Sequence, residues 1–415
     1  MKRFVFLAIA ALFALLTCSC TPLNPDDAGR NNNPYKSLSL TTRQAEFVTG
    51  GQAFSLSFLE QVQKESDKDF VISPLSMQFL LGMILDGARN NTADQICNTL
   101  GYGKGEVAEI NKYCRAMLDQ LPSLDKATKL SIANAIIVDE GWPLLSSYKK
   151  DVDKYYDAKV SNLDFSKTKE SADKINKWCS DHTEGLIPKI LDETDPNMLA
   201  YLLNALYFKS KWSSPFVKSL SGEENFTYAG GKVDKVKMMK AERSMDYCKS
   251  DVFEAVRLPY GNGAFSMTVL RPAKGSTVTD VINSLQKKGL DSVLGTMRER
   301  TVNLWLPTFE TKFHIKLNDI LSAMGMPDAF NPEAADFTKM SEYALCLSFV
   351  NQDAVIKVDE EGTEAAAISS AGMYKNTSVQ MPEMPVVFHA DVPFLYLITE
   401  SSTGAILFAG RFGGR

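Results

Sequence analysis

Apolar residues recur along this chain with two periods. From 43 to 64 they fall on one face of a helix, with Phe47, Phe54, Leu56, Phe58 and Val62 among them. Phe70-Val71-Ile72 leads into Ser73-Pro74, an N-cap residue followed by a proline suited to a first helical turn. Met77, Phe79, Leu80, Leu81, Met83, Ile84 and Leu85 then make the next helix apolar nearly all round, which predicts a buried central helix. Residues 129–138 (KLSIANAIIV) read as a strand, and 148–156 and 170–183 as helices, the second stopped by Gly185-Leu186-Ile187-Pro188. The long apolar run over 198–208 (MLAYLLNALYF) predicts a strand buried on both faces. Short strand segments with turn punctuation follow around Met238, Val256, Met267 and Leu304, then a helix over 317–326 ending near Gly325. Two paired strands close the chain, 388–398 and 405–411, with Ser402-Thr403-Gly404 at the turn.

One stretch breaks both periods. It starts as a strand (Val355, Ile356, Val358), turns at Asp359-Glu360-Glu361, and continues Gly362-Thr363-Glu364-Ala365-Ala366-Ala367-Ile368-Ser369-Ser370-Ala371-Gly372. Side chains this small cannot anchor a segment by burial. Yet no proline falls between Gly362 and Gln380, so every backbone N–H there is free to join a ladder. Alternation in a strand would put Thr363, Ala365, Ala367, Ser369, Ala371 and Met373 on one face, all uncharged and mostly small. Glu364, Ala366, Ile368, Ser370, Gly372 and Tyr374 would occupy the other, which carries the only charge before Lys375. The segment reads as a loop able to become a strand; the plainer alternative is a flexible surface linker.

EEGTEAAA, at 360–367, resembles the hinge of the reactive-centre loop of the serpins, protease inhibitors of the suicide-substrate type. Three further stretches agree in order. SPLS with its apolar helix and Gly87-Ala88-Arg89-Asn90-Asn91-Thr92 resembles the second serpin helix, NALYFKSKW the third strand of the central sheet with Trp212 at its upper end, and PFLYLI with ILFAGR the C-terminal hairpin. The matches span residues 44 to 411. The resemblance implies an α+β fold of one domain over 44–415, with three β-sheets, eight or nine helices and an exposed, insertable loop at about 360–385. It implies a hinge formed by Glu360, Gly362, Thr363, Glu364, Ala365, Ala366 and Ala367. A polar cluster beneath the parting of the central strands falls on Ser73, Ser76 and Asn204. Gln352 stands where the family often has histidine, so this cluster has no titratable member and insertion is expected to ignore pH near 6.5. Thr308 stands where a lysine often pairs with the acidic loop root, leaving Glu360 to find another partner or remain solvated.

The resemblance places the bond to be cut fourteen residues after Gly362, at Asn376-Thr377, with Lys375, Tyr374 and Met373 as alternatives. Lys375 would suit trypsin-like enzymes, Tyr374 or Met373 chymotrypsin-like ones, and the small residues upstream elastase-like ones; papain-like cysteine proteases are a further class. A broad-specificity inhibitor that traps its target as an acyl-enzyme is therefore expected, with a non-inhibitory binding or chaperone-like module as the alternative. The hinge favours inhibition, because Thr363, Ala365, Ala366 and Ala367 carry no bulk, charge or proline.

Composition adds limits. The 415 residues are 45% hydrophobic with a formal net charge of −5, enough for a large core and without the basic clustering that nucleic acid would require. Met1-Lys2-Arg3, the apolar run from 4 to 16 and Leu15-Leu16-Thr17-Cys18-Ser19-Cys20 resemble a bacterial lipoprotein signal, with Cys20 the better lipidation site than Cys18. Residues 1–19 would then be the signal and 20–43 a lipid-anchored flexible tether, placing an exported monomer at the outer membrane or cell surface; an ordinary cleaved secretory signal is the alternative. The five cysteines beyond Cys20 show no metal spacing and read as buried small hydrophobes. Three histidines, with no HExxH, G-x-S-x-G or P-loop, leave no catalytic constellation, and no cofactor is expected. Ser147-x-x-Lys150 and Ser166-x-x-Lys169 lie in polar stretches and read as chance spacing.

Overall fold

The computed structural model describes residues 32–363 and 384–414. Among these, nine helices run α1 Thr42–Glu65, α2 Pro74–Asp86, α3 Asn90–Thr99, α4 Val107–Gln120, α5 Ser146–Tyr156, α6 Thr168–His182, α7 Val278–Lys288, α8 Leu290–Gly295 and α9 Asn318–Ala323. Ser73 caps α2 by accepting from the Ser76 N–H, Pro74 opens it, and all of its residues are buried, as its unbroken apolar surface predicts. The helix expected over 317–326 is shorter and stops before Gly325, whose positive φ ends it.

Fifteen strands form two ladders among the described residues. The first strands are β1 Phe70–Ile72, β2 Lys129–Asp139, β3 Ala158–Leu163, β4 Ala200–Lys211, β5 Gly222–Thr227, β6 Val233–Lys249, β7 Phe253–Tyr260 and β8 Phe265–Pro272. The rest are β9 Arg298–Pro307, β10 Phe309–Lys316, β11 Asn351–Val358, β12 Gly362–Thr363, β13 Val386–His389, β14 Phe394–Glu400 and β15 Ile406–Phe412. The six-stranded sheet has the order β10-β11-β12-β4-β2-β3, and the nine-stranded ladder β1-β15-β14-β8-β7-β6-β9-β13 with β5 on β6. Of the three sheets expected, two are continuous because β6 spans seventeen residues. Its first six residues pair with β5, Met238 to Tyr247 with β9, and its last four residues with β7.

The main core lies between the sheets around α2, and a smaller one lies between β2, β4 and α6 (Ala135, Ile137, Phe165, Ile175, Cys179, Tyr201, Leu203). β4 departs from the two-sided burial its sequence predicts. Tyr201, Leu203, Ala205 and Tyr207 are buried, whereas Leu202, Asn204 and Leu206 are only half-buried. The reason is the neighbouring position: β4 pairs with β2 along its length, but on its other side, among the described residues, only Gly362 and Thr363 reach it.

Residues 32–41, assigned to the tether by sequence, lie against the body, and the capping box of Thr41 and Gln44 opens α1. The segment expected to be a signal, with Cys18 and Cys20, lies outside the described residues.

Candidate functional site

The site lies where β11 turns back toward the sheet. Asp359 N–H donates to Gly362 O at 2.9 Å, and the Asp359 carboxylate accepts from the Glu361 N–H at 2.9 Å. Gly362 then passes so close to β4 that a Cβ would lie 2.1 Å from Ser210 O, which excludes any other residue there. Thr363 sits as a single rung between Val358 of β11 and Ser210 of β4. It is 3% exposed, and its hydroxyl meets the Tyr260 hydroxyl at 2.6 Å. The first member of the uncharged alternating set therefore faces the core. Glu364, Ala365, Ala366 and Ala367 of the hinge, and Met373, Tyr374, Lys375, Asn376 and Thr377 of the reactive-bond candidates, lie outside the described residues.

Trp212 holds the turn from the β4 side. Its Nε1–H donates to Asp359 O at 2.9 Å and its N–H to Glu361 O at 2.9 Å, while the ring stacks on Tyr260 at 4.4 Å and 12°. Two lysines hold it from outside. Lys218 Nζ lies 2.5 Å from Glu361, and Lys237 Nζ lies 2.6 Å from Glu360, whose side chain is only 5% exposed. Thr308 supplies no charge, but its N–H donates to Lys237 O at 2.9 Å, so the missing cation arrives from the strand alongside. Burial raises the Glu360 pKa, yet Lys237 and further hydrogen bonds outweigh it and hold the carboxyl below its usual range. Of the two outcomes left open by Thr308, Glu360 takes the first: it has another partner, in a half-buried pair.

Below Thr363 no described residue pairs β4 with β11. The gap opens on a cavity of about 290 Å³ lined by both strands, by α2 and by the chain around Leu345. The four predicted gate residues all border it. They form two groups joined on α2, where Ser73 Oγ accepts from the Ser76 N–H at 3.3 Å, with no direct bond between Gln352 and Asn204 across the gap among the described residues. Gln352 closes on Ser73, its Oε1 accepting from Ser73 N–H at 3.0 Å and its Nε2 donating to Ser73 O at 2.9 Å. Ser76 Oγ donates to Asn204 Oδ1, and Asn204 Nδ2 donates to Asn134 Oδ1 at 2.6 Å. The Gln352 amide is thus engaged at both ends by the backbone of one residue.

Sequence reasoning missed the depth of the second cluster. Asn134 donates to Tyr156 O at 2.6 Å, Tyr156 hydroxyl to Asn111 Oδ1 at 2.7 Å, and Asn111 to the buried Asp86 at 2.6 Å. Burial raises the Asp86 pKa. A lone Asn134 within an apolar strand run was the available signal. A titratable pair also flanks the gap: His314 Nδ1 lies 2.8 Å from Asp353, whose pKa burial raises. The five cysteines here are free, four of them buried, and burial lifts the Cys114 thiol to about 12.

Comparison with known proteins decides what this arrangement belongs to. Residues 49–413 match the model of the serpin (serine protease inhibitor) family. The chain belongs to the serpin family. Its relatives include Serpin B6 of Macaca fascicularis, 32% identical over 367 residues, covering 86% of this chain and 96% of that one. Among solved structures, the thermophilic serpin tengpin in its native state superimposes with a TM-score of 0.80 at 29% identity, covering 92% of this serpin and 97% of tengpin. Human thyroxine-binding globulin gives the same TM-score at 25% identity, covering 89% and 98%. The fold is that of a protease-inhibitor family.

Proposed function

We propose that this serpin is a broad-specificity suicide-substrate inhibitor of serine proteases, with papain-like cysteine proteases as a second target class. The observation that carries the reading is Thr363, seated between β4 and β11 above strands that do not pair with each other. Continuing the two registers downward sets Ser369 opposite Asn204 on one side and Gln352 on the other. Ala365, Ala367 and Ala371 would face the core beside Ile356, Ala354 and Val350, all buried. Glu364 would point out. The small uncharged set thus fits the face where large or charged side chains would not.

In the proposed cycle the protease nucleophile attacks the Asn376 carbonyl carbon, or that of Lys375, Tyr374 or Met373. An ester or thioester to the protease forms, and the amine of the following residue leaves with a proton. Insertion of the cut loop before water reaches that acyl bond drags the protease along. Fourteen residues at strand rise carry it on the order of 45 Å. The N-terminal sequence supports a bacterial lipoprotein held at the cell surface through Cys20, acting as a monomer.

A non-inhibitory binding module is the second reading, because thyroxine-binding globulin, solved with thyroxine bound, superimposes on this serpin with the same TM-score as tengpin. Incubation with trypsin-, chymotrypsin-, elastase- and papain-like proteases separates the two. Complexes that survive denaturing gels are expected, and Thr363→Arg, which puts a charge on a buried rung, should yield cut serpin and free protease instead. Cleavage of the natural sequence without any trapped protease or gain in heat resistance would refute inhibition. A single cut bond for every protease would refute breadth.

A further inference from the structure

The segment before α1 converges on one buried carboxylate. Asp125, 1% exposed between α4 and β2, accepts from Asn33 Nδ2 at 2.5 Å, Ala127 N–H at 2.8 Å, Thr128 Oγ1 at 2.6 Å and Asn262 N–H at 3.3 Å. Gly261 packs so tightly on it that a Cβ would lie 1.9 Å from Oδ2. The segment is held at other points too. Lys126 N–H donates to Asn33 Oδ1 at 2.9 Å, Asn262 Nδ2 to Pro34 O at 3.0 Å, Lys36 Nζ to Ser123 O at 3.1 Å, and Leu38 N–H to Ser402 Oγ at 3.1 Å.

Two short routes lead from Asp125 to the hinge. Along the first, Thr128 donates to Asp125, so the contact of 2.6 Å between Thr128 and Ser210 is a donation from Ser210, and Ser210 is the residue opposite Thr363. Along the second, Gly261 N–H donates to Lys211 O at 2.8 Å, Lys211 stands opposite Gly362, and Tyr260 holds the Thr363 hydroxyl. Asp125 therefore ties the head of β2 and the top of β4 to the β7–β8 turn, which belongs to the other sheet. Widening the gap below Thr363 moves β4, with β2 and β3 hydrogen-bonded to it, away from β11. That motion pulls against the tie.

We propose that residues 32–40 form a strap which, through Asn33 on Asp125, restrains the tops of β2 and β4 and slows insertion of the uncut loop behind Thr363. This rests on the insertion mechanism proposed above. Asn33 and Asp125 are positioning residues: neither touches a protease or the bond that is cut.

The test uses the full chain. Uncut protein is incubated at raised temperature and its conversion to a heat-resistant form is followed, with protease-cut protein as the reference for that form. Asn33→Ala should speed conversion on the order of ten-fold, the scale of one hydrogen bond to a charged group. Asn33→Asp, which sets a second carboxylate against Asp125, should speed it more. Lys36→Ala, which loses one exposed bond, should change it less than about two-fold. Asn33→Ala combined with Thr128→Val should convert no faster than the faster single variant, because both cut the same route. Equal rates for Asn33→Ala and the natural sequence overturn the strap, and so does failure of both Asn33 variants to convert at any temperature below unfolding. An equal loss of heat resistance in the cut form also overturns it, since Asn33 would then be a general stabilising contact. Absence of trapped protease at time zero would refute the inhibitory reading instead, while the conversion rates still judge the strap.

Discussion

Removing the Lys237 side chain tests how firmly the loop root is held. In the native fold its ammonium lies 2.6 Å from Glu360, whose side chain is 5% exposed while that of Lys237 is 50% exposed. Lys237→Ala leaves a nearly buried carboxylate without its cation. A hydrogen bond between charged groups is worth about 1.5–3 kcal/mol, and a fully buried pair broken on one side costs about 3–5 kcal/mol. Half-exposure of Lys237 lets water take its place, so the lower part of the first range, about 1.5–2 kcal/mol, is the expected loss. For a chain of this size that is a fall in the native melting temperature of about 2 °C. The sign with pH follows from the lowered Glu360 pKa. A carboxyl held below its unfolded value contributes stability above that unfolded value, near pH 4.5, and loses it as pH falls through the folded one. The gap between Lys237→Ala and the natural sequence should therefore be full at pH 7 and close as pH drops below about 4.5. Differential scanning fluorimetry at pH 7 and pH 4 reads both. The swap Glu360→Lys with Lys237→Glu should recover part of what Glu360→Lys alone loses. A melting temperature for Lys237→Ala within about 0.5 °C of the natural sequence at pH 7 would refute the argument that this pair is more than a surface contact.

Trp212→Ala removes a 2%-exposed ring that stacks on Tyr260 and donates to Asp359 O, and should cost about 3–5 kcal/mol, with Trp212→Phe costing less; chemical unfolding checks both. Asp86, whose folded pKa is raised, binds its proton more tightly folded than unfolded, so its ionisation removes stability as pH rises from the ordinary carboxyl range to the folded value. Asp86→Asn, which can still accept from Asn111, should gain on the natural sequence between pH 4 and 7 in melting temperature; a constant difference would refute it. Gln352→His puts a titratable ring against Ser73, and complex formation by this variant should change more between pH 5.5 and 7.5 than that of the natural sequence. Because His314 and Asp353 lie one strand position away, His314→Gln in the same background separates their contribution.

Periodicity made the faces of this fold legible. The nearly all-round apolar pattern of α2 placed it in the core, and Thr363, the one member of its alternating set among the described residues, turns inward. Periodicity carries no information about which distant side chain arrives beside a given one. Lys237 reaches Glu360 from the first part of β6, where it pairs with β5 and lies beside Thr308 just past the end of β9, and an alignment with Thr308 could report only the missing lysine. The tail before α1 reads as a tether because Asn, Pro and Lys bury little surface. Its docking comes from hydrogen bonds to Asp125 and Asn262, which composition does not reveal. Asn134 was visible as one polar residue in an apolar strand, but its links through Tyr156 and Asn111 to Asp86 cross three helices.

The two gate clusters explain how the parted strands keep their places. Ser73 and Ser76 sit three residues apart at the start of α2, about 4.5 Å along the helix axis. Ser73 holds β11 through the Gln352 amide, and Ser76 holds β4 through Asn204. Ser73 Oγ is also anchored, donating to Leu407 O of β15 at 2.8 Å beneath. Each strand is thus tied to the same helical turn rather than to the other strand. With no side-chain bond among the described gate residues crossing the gap, an arriving strand would displace none there. Further widening, by contrast, must stretch one tie or tilt α2, whose burial on every side resists tilting. The first turn of α2 therefore sets the spacing of the gap, and under the insertion mechanism proposed above a strand entering it would have to carry small side chains on the face above that turn.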